Sequence, residues 1–159
     1  MTGLFTNQHQ SSLTSTIQLI EQSLRGLGQD PDGCRLEPRG DDEAAWQFRH
    51  GSAQTRIQLT RAAGDATHSL RVAAIVMTLA PEVDRLALYG HLLQQNRQLR
   101  GLTLALDEER VELAAERPCR DLDRSEIDDL LLRVSRRADE LDDLLVARFG
   151  GYRGTHTAP

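Results

Sequence analysis

The sequence predicts an α+β fold in which three helices pack on an antiparallel sheet of five to six strands. Apolar residues recur at helical spacing in three segments, and between these segments they alternate with a period of two. The order is helix, three or four strands, helix, two strands, helix, without the regular strand and helix alternation of a parallel sheet. We therefore expect one domain over residues 12–150, between flexible tails at 1–11 and 151–159.

The first predicted helix covers about residues 12–27. Its apolar residues share the three- and four-residue spacing of one helical face: Leu13, Ile17, Ile20, Leu24 and Leu27. Ser11 or Ser12 can cap its start, and Gly28 can end it. The segment Asp30-Pro31-Asp32-Gly33 is typical of a turn. The sequence does not decide whether residues 34–38 form a short strand.

The first predicted hairpin begins at Ala44. Trp46 and Phe48 fall on one face of a strand, and the next strand alternates from Gln54 to Thr60. His50-Gly51-Ser52 forms the turn between them. Residues 69–79 become continuously apolar in their later half, which indicates a more central strand.

The second predicted helix spans about residues 83–98, with Pro81 suited to its first turn. Its apolar residues fall on two opposite sides, so the helix needs two surfaces to pack against. One side consists of Val83, Leu86, Gly90 and Leu93. The other side, with the residues beside it, forms our candidate dimer or partner interface: Leu88, Tyr89, Leu92, Asn96 and Leu99.

The C-terminal part predicts a second hairpin and a long helix. Residues 102–106 and 111–113 alternate around a turn at 107–109. Asp123 and Glu126 have the spacing of a capping box, and an apolar stripe runs from Ile127 to Phe149 before Gly150-Gly151. The opposite face of this helix is expected to be solvated and to hold ion pairs between acids, including Asp139, Asp142 and Asp143, and neighbouring arginines.

The charge and composition exclude several functions. The formal net charge is -5, which is the wrong sign for non-specific nucleic-acid binding. All 19 basic residues are arginine, so a lysine Schiff base and a phosphate-loop lysine are absent. Cys34 and Cys119 lack CxxC partners; two reduced thiols are expected, although their spacing leaves a disulfide open. Without a signal segment or a membrane-spanning run, we expect a cytoplasmic protein that does not enter a membrane.

No catalytic, cofactor-binding or metal-binding site is predicted. The five histidines include no helical pair at metal-ligand spacing, and no serine lies in a nucleophile elbow. Gly26-Leu27-Gly28 ends a helix where a dinucleotide fingerprint would begin one. Trp46 and Phe48 could stack nucleic-acid bases, but the same alternation serves a core, which we favour.

Three segments together resemble the YbjN-like proteins, which are related in fold to the class I type III secretion chaperones. They are Leu86 to Asn96, the hairpin from Gly101 to Leu113, and the helix containing Val134 to Leu145 with Phe149-Gly150. The resemblance covers residues 12–150 in element order and about 83–150 in residue identity. It implies a small α+β protein, a homodimer that binds another protein and catalyses nothing, with no site residues to carry over.

The leading hypothesis is therefore a non-enzymatic cytoplasmic interaction module that dimerises through the second helix. A dedicated chaperone of a secreted effector is the first alternative, and a sensory or transcriptional regulator is the second. A hydrolase is the last, because no nucleophile, base or metal cluster can be assembled from these residues.

Overall fold

A computed structural model describes residues 3–38, 40, 42–61, 64–65 and 67–154, with side chains from Leu13 onward. Within them the chain forms two layers, with helices on one face of a six-stranded antiparallel sheet and the other face open. The helices are α1 Gly3–Gly26, α2 Pro31–Cys34, α3 Arg85–Asn96 and α4 Arg124–Phe149. The strands are β1 Arg35–Leu36, β2 Ala44–His50, β3 Ala53–Thr60, β4 Ser69–Thr78, β5 Thr103–Asp107 and β6 Arg110–Pro118.

The sheet order β1-β2-β3-β4-β6-β5 follows from two hairpins joined at the apolar strand β4. Its alternating side chains give one buried and one open face, as expected for an antiparallel sheet with helices on one side. Trp46, Ile57, Val72 and Leu113 point into the same core, where all four are fully buried. The core interpretation of Trp46 and Phe48 is thus confirmed.

Helix α4 lies over the middle of this core, and α1 packs beside it. Both predicted ends of α4 are confirmed: Asp123 and Glu126 form the capping box, and Gly150 takes a positive φ of 78° at the end. Its stripe from Ile127 to Leu145 is buried against the sheet. The predicted α+β class is confirmed.

Three predicted boundaries differ. Helix α1 begins at Gly3 and not near residue 12, because neither proline nor an internal glycine interrupts its polar first half. Helix α3 begins after Asp84, whose side chain accepts a hydrogen bond from the Ala87 N–H, so Pro81 lies in the preceding turn. The predicted turn at 30–33 is one turn of helix over Pro31–Cys34, capped by Asp30.

Near the two ends of the fold, the structure decides the strand that the sequence left open and differs from the predicted C-terminal tail at Tyr152. The doubtful first strand forms over two residues only, and the Arg35 guanidinium lies 4.4 Å from the ring centroid of Trp46. Tyr152, which we had expected in a flexible tail, forms two backbone hydrogen bonds with Thr78 of β4. Residues 155–159 of that predicted tail lie outside the described residues, as do Met1 and Thr2.

Candidate functional site

Helix α3 has two apolar sides, and the structure assigns its leucines in the reverse order from our prediction, although Val83, just before the helix, is buried as predicted. Leu88 and Leu92 are buried in the chain's own core, and Tyr89 and Leu99 pack partly against it. The reason is Asn96, whose side-chain amide binds both the N–H and the C=O of Leu104 in β5, at 2.8 and 3.0 Å. These bonds turn the Leu88 side of the helix towards the sheet. Within one chain these candidate interface residues therefore do not form an exposed patch.

The uncovered side of α3 carries Leu86 and Leu93, with 84% and 69% of their surfaces exposed. They lie seven residues apart on one face, with Gly90 between them. Because Gly90 has no side chain, another surface can approach the helix backbone closely at this point. We call Leu86, Gly90 and Leu93 the leucine stripe. The prediction missed its exposure, although Arg97 on the same side of the helix indicated a solvated face.

A groove of about 460 Å³ separates α3 from α4. His91 and Gln95 line one wall, and Leu144 and Arg148 line the other. The His91 ring lies 5.3 Å from the ring of Phe149, and its Nδ1 is 3.2 Å from the Arg148 guanidinium. Partial burial and this neighbouring cation lower the pKa of His91, so its neutral form is favoured. The groove is therefore an apolar hollow with one cation at its rim.

The two edges of the sheet differ in how far they are closed. Asn96 occupies backbone groups of Leu104 on the β5 edge. At the other edge β1 pairs only with Ala45 and Trp46 of β2. Among the described residues, no strand pairs with residues 47–50 of β2 on that side, where the chain before β1 forms helix α2, which packs against β2. An edge of this kind can accept an additional strand through its main-chain groups.

The face of α4 that we had predicted to be solvated is only partly so. The ion pairs of Arg124 with Asp128 and Arg133 with Asp129 confirm it near the start of the helix. Asp142, however, is buried. The exposed interpretation of Asp139 and Asp142 is wrong, because both carboxylates reach the turn between β2 and β3.

Both carboxylates bind Ser52, 87 or 90 residues earlier in the chain. The Ser52 N–H donates to Asp139 Oδ1 at 2.6 Å, and the Ser52 hydroxyl lies 2.9 Å from Asp139 Oδ1 and 2.6 Å from Asp142 Oδ2. The backbone hydrogen bond is the main reason that the pKa of Asp139 is lowered from its ordinary value. This contact fixes the first hairpin to α4, which is a structural task.

The described residues contain no group of three or more histidine, cysteine or acidic side chains that could hold a metal ion. Cys34 and Cys119 are both free thiols, and burial raises the pKa of Cys119 to about 11. Such a thiol is a poor nucleophile, because the thiolate is the reactive form. No helix in the described part of the chain is both long and apolar enough to cross a membrane.

Comparison with known proteins identifies a family and related folds. The family described as "T3SS (YopN, CesT) and YbjN peptide-binding chaperone 1", TY-Chap1, matches residues 17–157. No curated protein sequence matches the chain. Among solved structures, the ExsC-ExsE complex is similar with a TM-score of 0.60 and 18% identity, over 83% of this chain and 94% of that one.

Two further solved structures resemble the chain. The Yersinia pestis type III secretion chaperone SycH, in complex with a stable fragment of YscM2, gives a TM-score of 0.50 and 18% identity, over 78% of this chain and 97% of that one. The HopA1-SchA chaperone-effector complex gives a TM-score of 0.48 and 17% identity, over 82% of this chain and 97% of that one. At these identities the ExsC-ExsE and SycH structures show a shared fold.

Proposed function

The chain belongs to the TY-Chap1 family of type III secretion and YbjN peptide-binding chaperones, and we propose that it is a non-enzymatic homodimer that holds an extended segment of another protein. The unpaired edge of β2 is the observation that supports peptide binding, and the leucine stripe of α3 is the observation that supports the dimer. Its two free thiols suit the reducing cytoplasm, where we place it.

The dimer proposal rests on exposed apolar surface. Full burial of a leucine side chain contributes roughly 1.5–3 kcal/mol, so leaving two of them in water on one helical face forgoes substantial stability. A second copy offers the same stripe, and a two-fold axis through Gly90 would place Leu86 of one copy near Leu93 of the other. The absent side chain at Gly90 permits close approach of the two helices.

The dimer is tested by replacing Leu93 with arginine and measuring mass by light scattering during gel filtration. We expect a wild-type dimer and a Leu93→Arg monomer, because the dimer would bury an unpaired charge. Leu144→Arg is the matched control, since Leu144 is 60% exposed on α4 and lies outside the stripe. A monomeric wild type, or equal effects of the two variants, would contradict the dimer.

The peptide proposal rests on the β2 edge. A partner segment could take the place of helix α2 beside residues 47–50 and exchange main-chain hydrogen bonds with β2, while its alternate side chains contact the two faces of the sheet. Such an added strand binds largely through backbone groups. It therefore suits an unfolded segment of a partner protein.

The test begins with purification of the protein from its native cell and identification of copurifying proteins by mass spectrometry. We expect one partner, bound through a segment that proteases cut readily once it is released. Hydrogen exchange of the complex should then protect the amides of residues 47–50 more than in the free protein. Absence of any partner, or protection confined to α3 and α4, would contradict binding at the β2 edge.

A dedicated secretion chaperone is the second candidate. It is favoured by the fold shared with SycH, whose structure holds a fragment of YscM2. This role is supported if the copurifying partner is a secreted protein and is retained in the cell after deletion of the chaperone gene.

A further inference from the structure

Arg56, on the open face of the sheet, has a guanidinium Nε that is shielded from water and has no hydrogen-bond partner among the described residues. The register places Arg56 of β3 opposite Gln47 of β2 and opposite Ala73 of β4, and Ala73 in turn opposite Ala114 of β6. Thr103 of β5 completes this row across the sheet. Because alanine side chains are short, Ala73 and Ala114 leave space above the sheet beside the Arg56 side chain.

Two other arginines on this face, Arg71 and Arg110, lie beside carboxylates, and Arg49 is exposed to water. Arg71 pairs with Glu112 at 2.9 Å and with Glu116 at 3.8 Å, and Arg110 lies opposite Asp107 in the hairpin register. The guanidinium of Arg56 has no hydrogen-bond or ion-pair partner among the described residues, and its Nε is shielded from water. Taking a donor of a charged group out of water without a partner costs free energy, and a carboxylate bound to the two outer Nη groups would offset the cost of the partly buried charge.

A cavity of about 510 Å³ lies over this part of the sheet. Arg56 lines it together with Gln47, Gln54 and Gln58, whose amides offer both donors and acceptors. The carboxylates of Asp107 and Glu112 lie on the β5–β6 side of the cavity, beside Arg110 and Arg71. A guanidinium presents two parallel N–H groups that match a carboxylate. Amide side chains on either side can bind the main chain that carries this carboxylate. The chemistry on the β3 side of the cavity thus suits an acidic residue of an extended peptide.

We propose that the open face binds an acidic, extended segment of the partner, with a glutamate or aspartate carboxylate on the Arg56 guanidinium and its main chain on Gln47, Gln54 and Gln58. This inference rests on the proposed function, because the row starts on β2, the strand whose edge would take the partner. From Gln47 to Thr103 the row crosses four gaps between strands, or about 19 Å, which an extended peptide of about six residues spans.

The test uses a capped hexapeptide of alternating glutamate and threonine and a control hexapeptide with glutamine in place of glutamate. Both are titrated into the full chain labelled with ¹⁵N, and the Arg56 Nε–H and the side-chain amides of the three glutamines are followed by NMR. We expect these signals to shift with the acidic peptide alone. Arg56→Gln should weaken binding by about tenfold or more, the loss of a hydrogen-bonded charge.

Arg49→Gln is the matched control, because it removes the same charge from an exposed position on β2 of the same face and should change affinity less than Arg56→Gln. Equal weakening by both variants would indicate general attraction and overturn the proposal. Equal binding of both peptides, or shifts restricted to α3 and α4, would also overturn the proposal. The same holds if Arg56 contacts residues 155–159 in the free protein, since these residues follow Gly154, which lines this cavity. If the acidic hexapeptide does not bind but a native partner still protects the amides of residues 47–50, the open-face site is excluded and the proposed peptide binding at the β2 edge stands.

Discussion

Ser52 is the residue on which the contact between the first hairpin and α4 depends. Its hydroxyl carries one proton and lies within hydrogen-bond distance of the carboxylates of Asp139 and Asp142. The other oxygen of Asp142, Oδ1, is buried and has no hydrogen-bond partner among the described residues. The preceding residue, Gly51, has a positive φ of 58°, and a Cβ there would collide with the Asp139 carboxylate. The β2–β3 turn and helix α4 therefore contact each other closely, and this contact requires a residue without a side chain at position 51.

We predict that Ser52→Ala lowers the free energy of unfolding by about 1–3 kcal/mol, because it leaves the buried Asp142 carboxylate with no hydrogen bond from a side chain. Urea unfolding measures the change. Ser125→Ala is the control, since the Ser125 hydroxyl binds the exposed Asp123 carboxylate and its loss should cost about 0.5 kcal/mol or less. Equal effects of both changes would show that the Ser52 hydroxyl is not important for stability.

The lowered pKa of Asp139 predicts how stability depends on pH. Its folded pKa lies below the unfolded value, so the carboxylate's contribution is present above the unfolded pKa and is lost as pH falls through the folded pKa. Asp139→Asn should therefore be less stable than the wild type near neutral pH, and the difference should shrink in acid. Unfolding curves across this pH range provide the measurement, and a constant difference would contradict the assignment.

At the scale of elements, Asn96 joins α3 to β5. Asn96→Ala should lower stability by about 1–3 kcal/mol, because the mutation removes two hydrogen bonds to Leu104. It should also speed hydrogen exchange at the Leu104 amide. Gln95→Ala is the neighbouring control, which removes an amide that lines the groove. Slow exchange at Leu104 in Asn96→Ala would mean that another group closes this edge.

The segment after α4 is held on β4 by a turn that needs glycine. Gly151 has a φ of 86°, and a Cβ there would lie 2.7 Å from the Thr78 carbonyl oxygen. Gly151→Ala should release Tyr152 and speed exchange of the Thr78 amide, which donates to the Tyr152 carbonyl. Gly28→Ala is the control for backbone strain alone, about 1–2 kcal/mol, because its φ is also positive but no atom lies near. A smaller loss of stability in Gly151→Ala than in Gly28→Ala would contradict the collision.

The elements that the sequence could predict are those with long periodic stripes or strict alternation. Helix α4 and the strands β2 to β6 belong to this group, because each buries one face in one core. The orientation of α3 could not be predicted, since leucines lie on both of its sides and the decision depends on Asn96 meeting a strand that follows it in the chain. The Ser52 contact could not be predicted either, because hydrogen bonds across some 90 residues leave no local pattern.

For the molecule as a whole, charge and apolar surface act in opposite directions on self-association. Each chain carries a formal net charge of -5, which a dimer doubles, whereas the leucine stripe is uncharged. Repulsion between like-charged subunits is screened by salt, while burial of apolar surface is not weakened by it. An interface made of ion pairs would respond in the opposite direction, because salt weakens the attraction between exposed charges.

We therefore predict that the dimer becomes tighter when sodium chloride is raised from about 0.05 to about 0.5 M, where the Debye length falls well below 10 Å. Sedimentation equilibrium at several protein concentrations measures the dissociation constant. Leu93→Arg should remain monomeric at every salt concentration, because screening cannot remove the cost of burying the guanidinium. A wild-type dimer that dissociates as salt rises would place the contact on the charged surfaces of α4 or the sheet, and not on the leucine stripe.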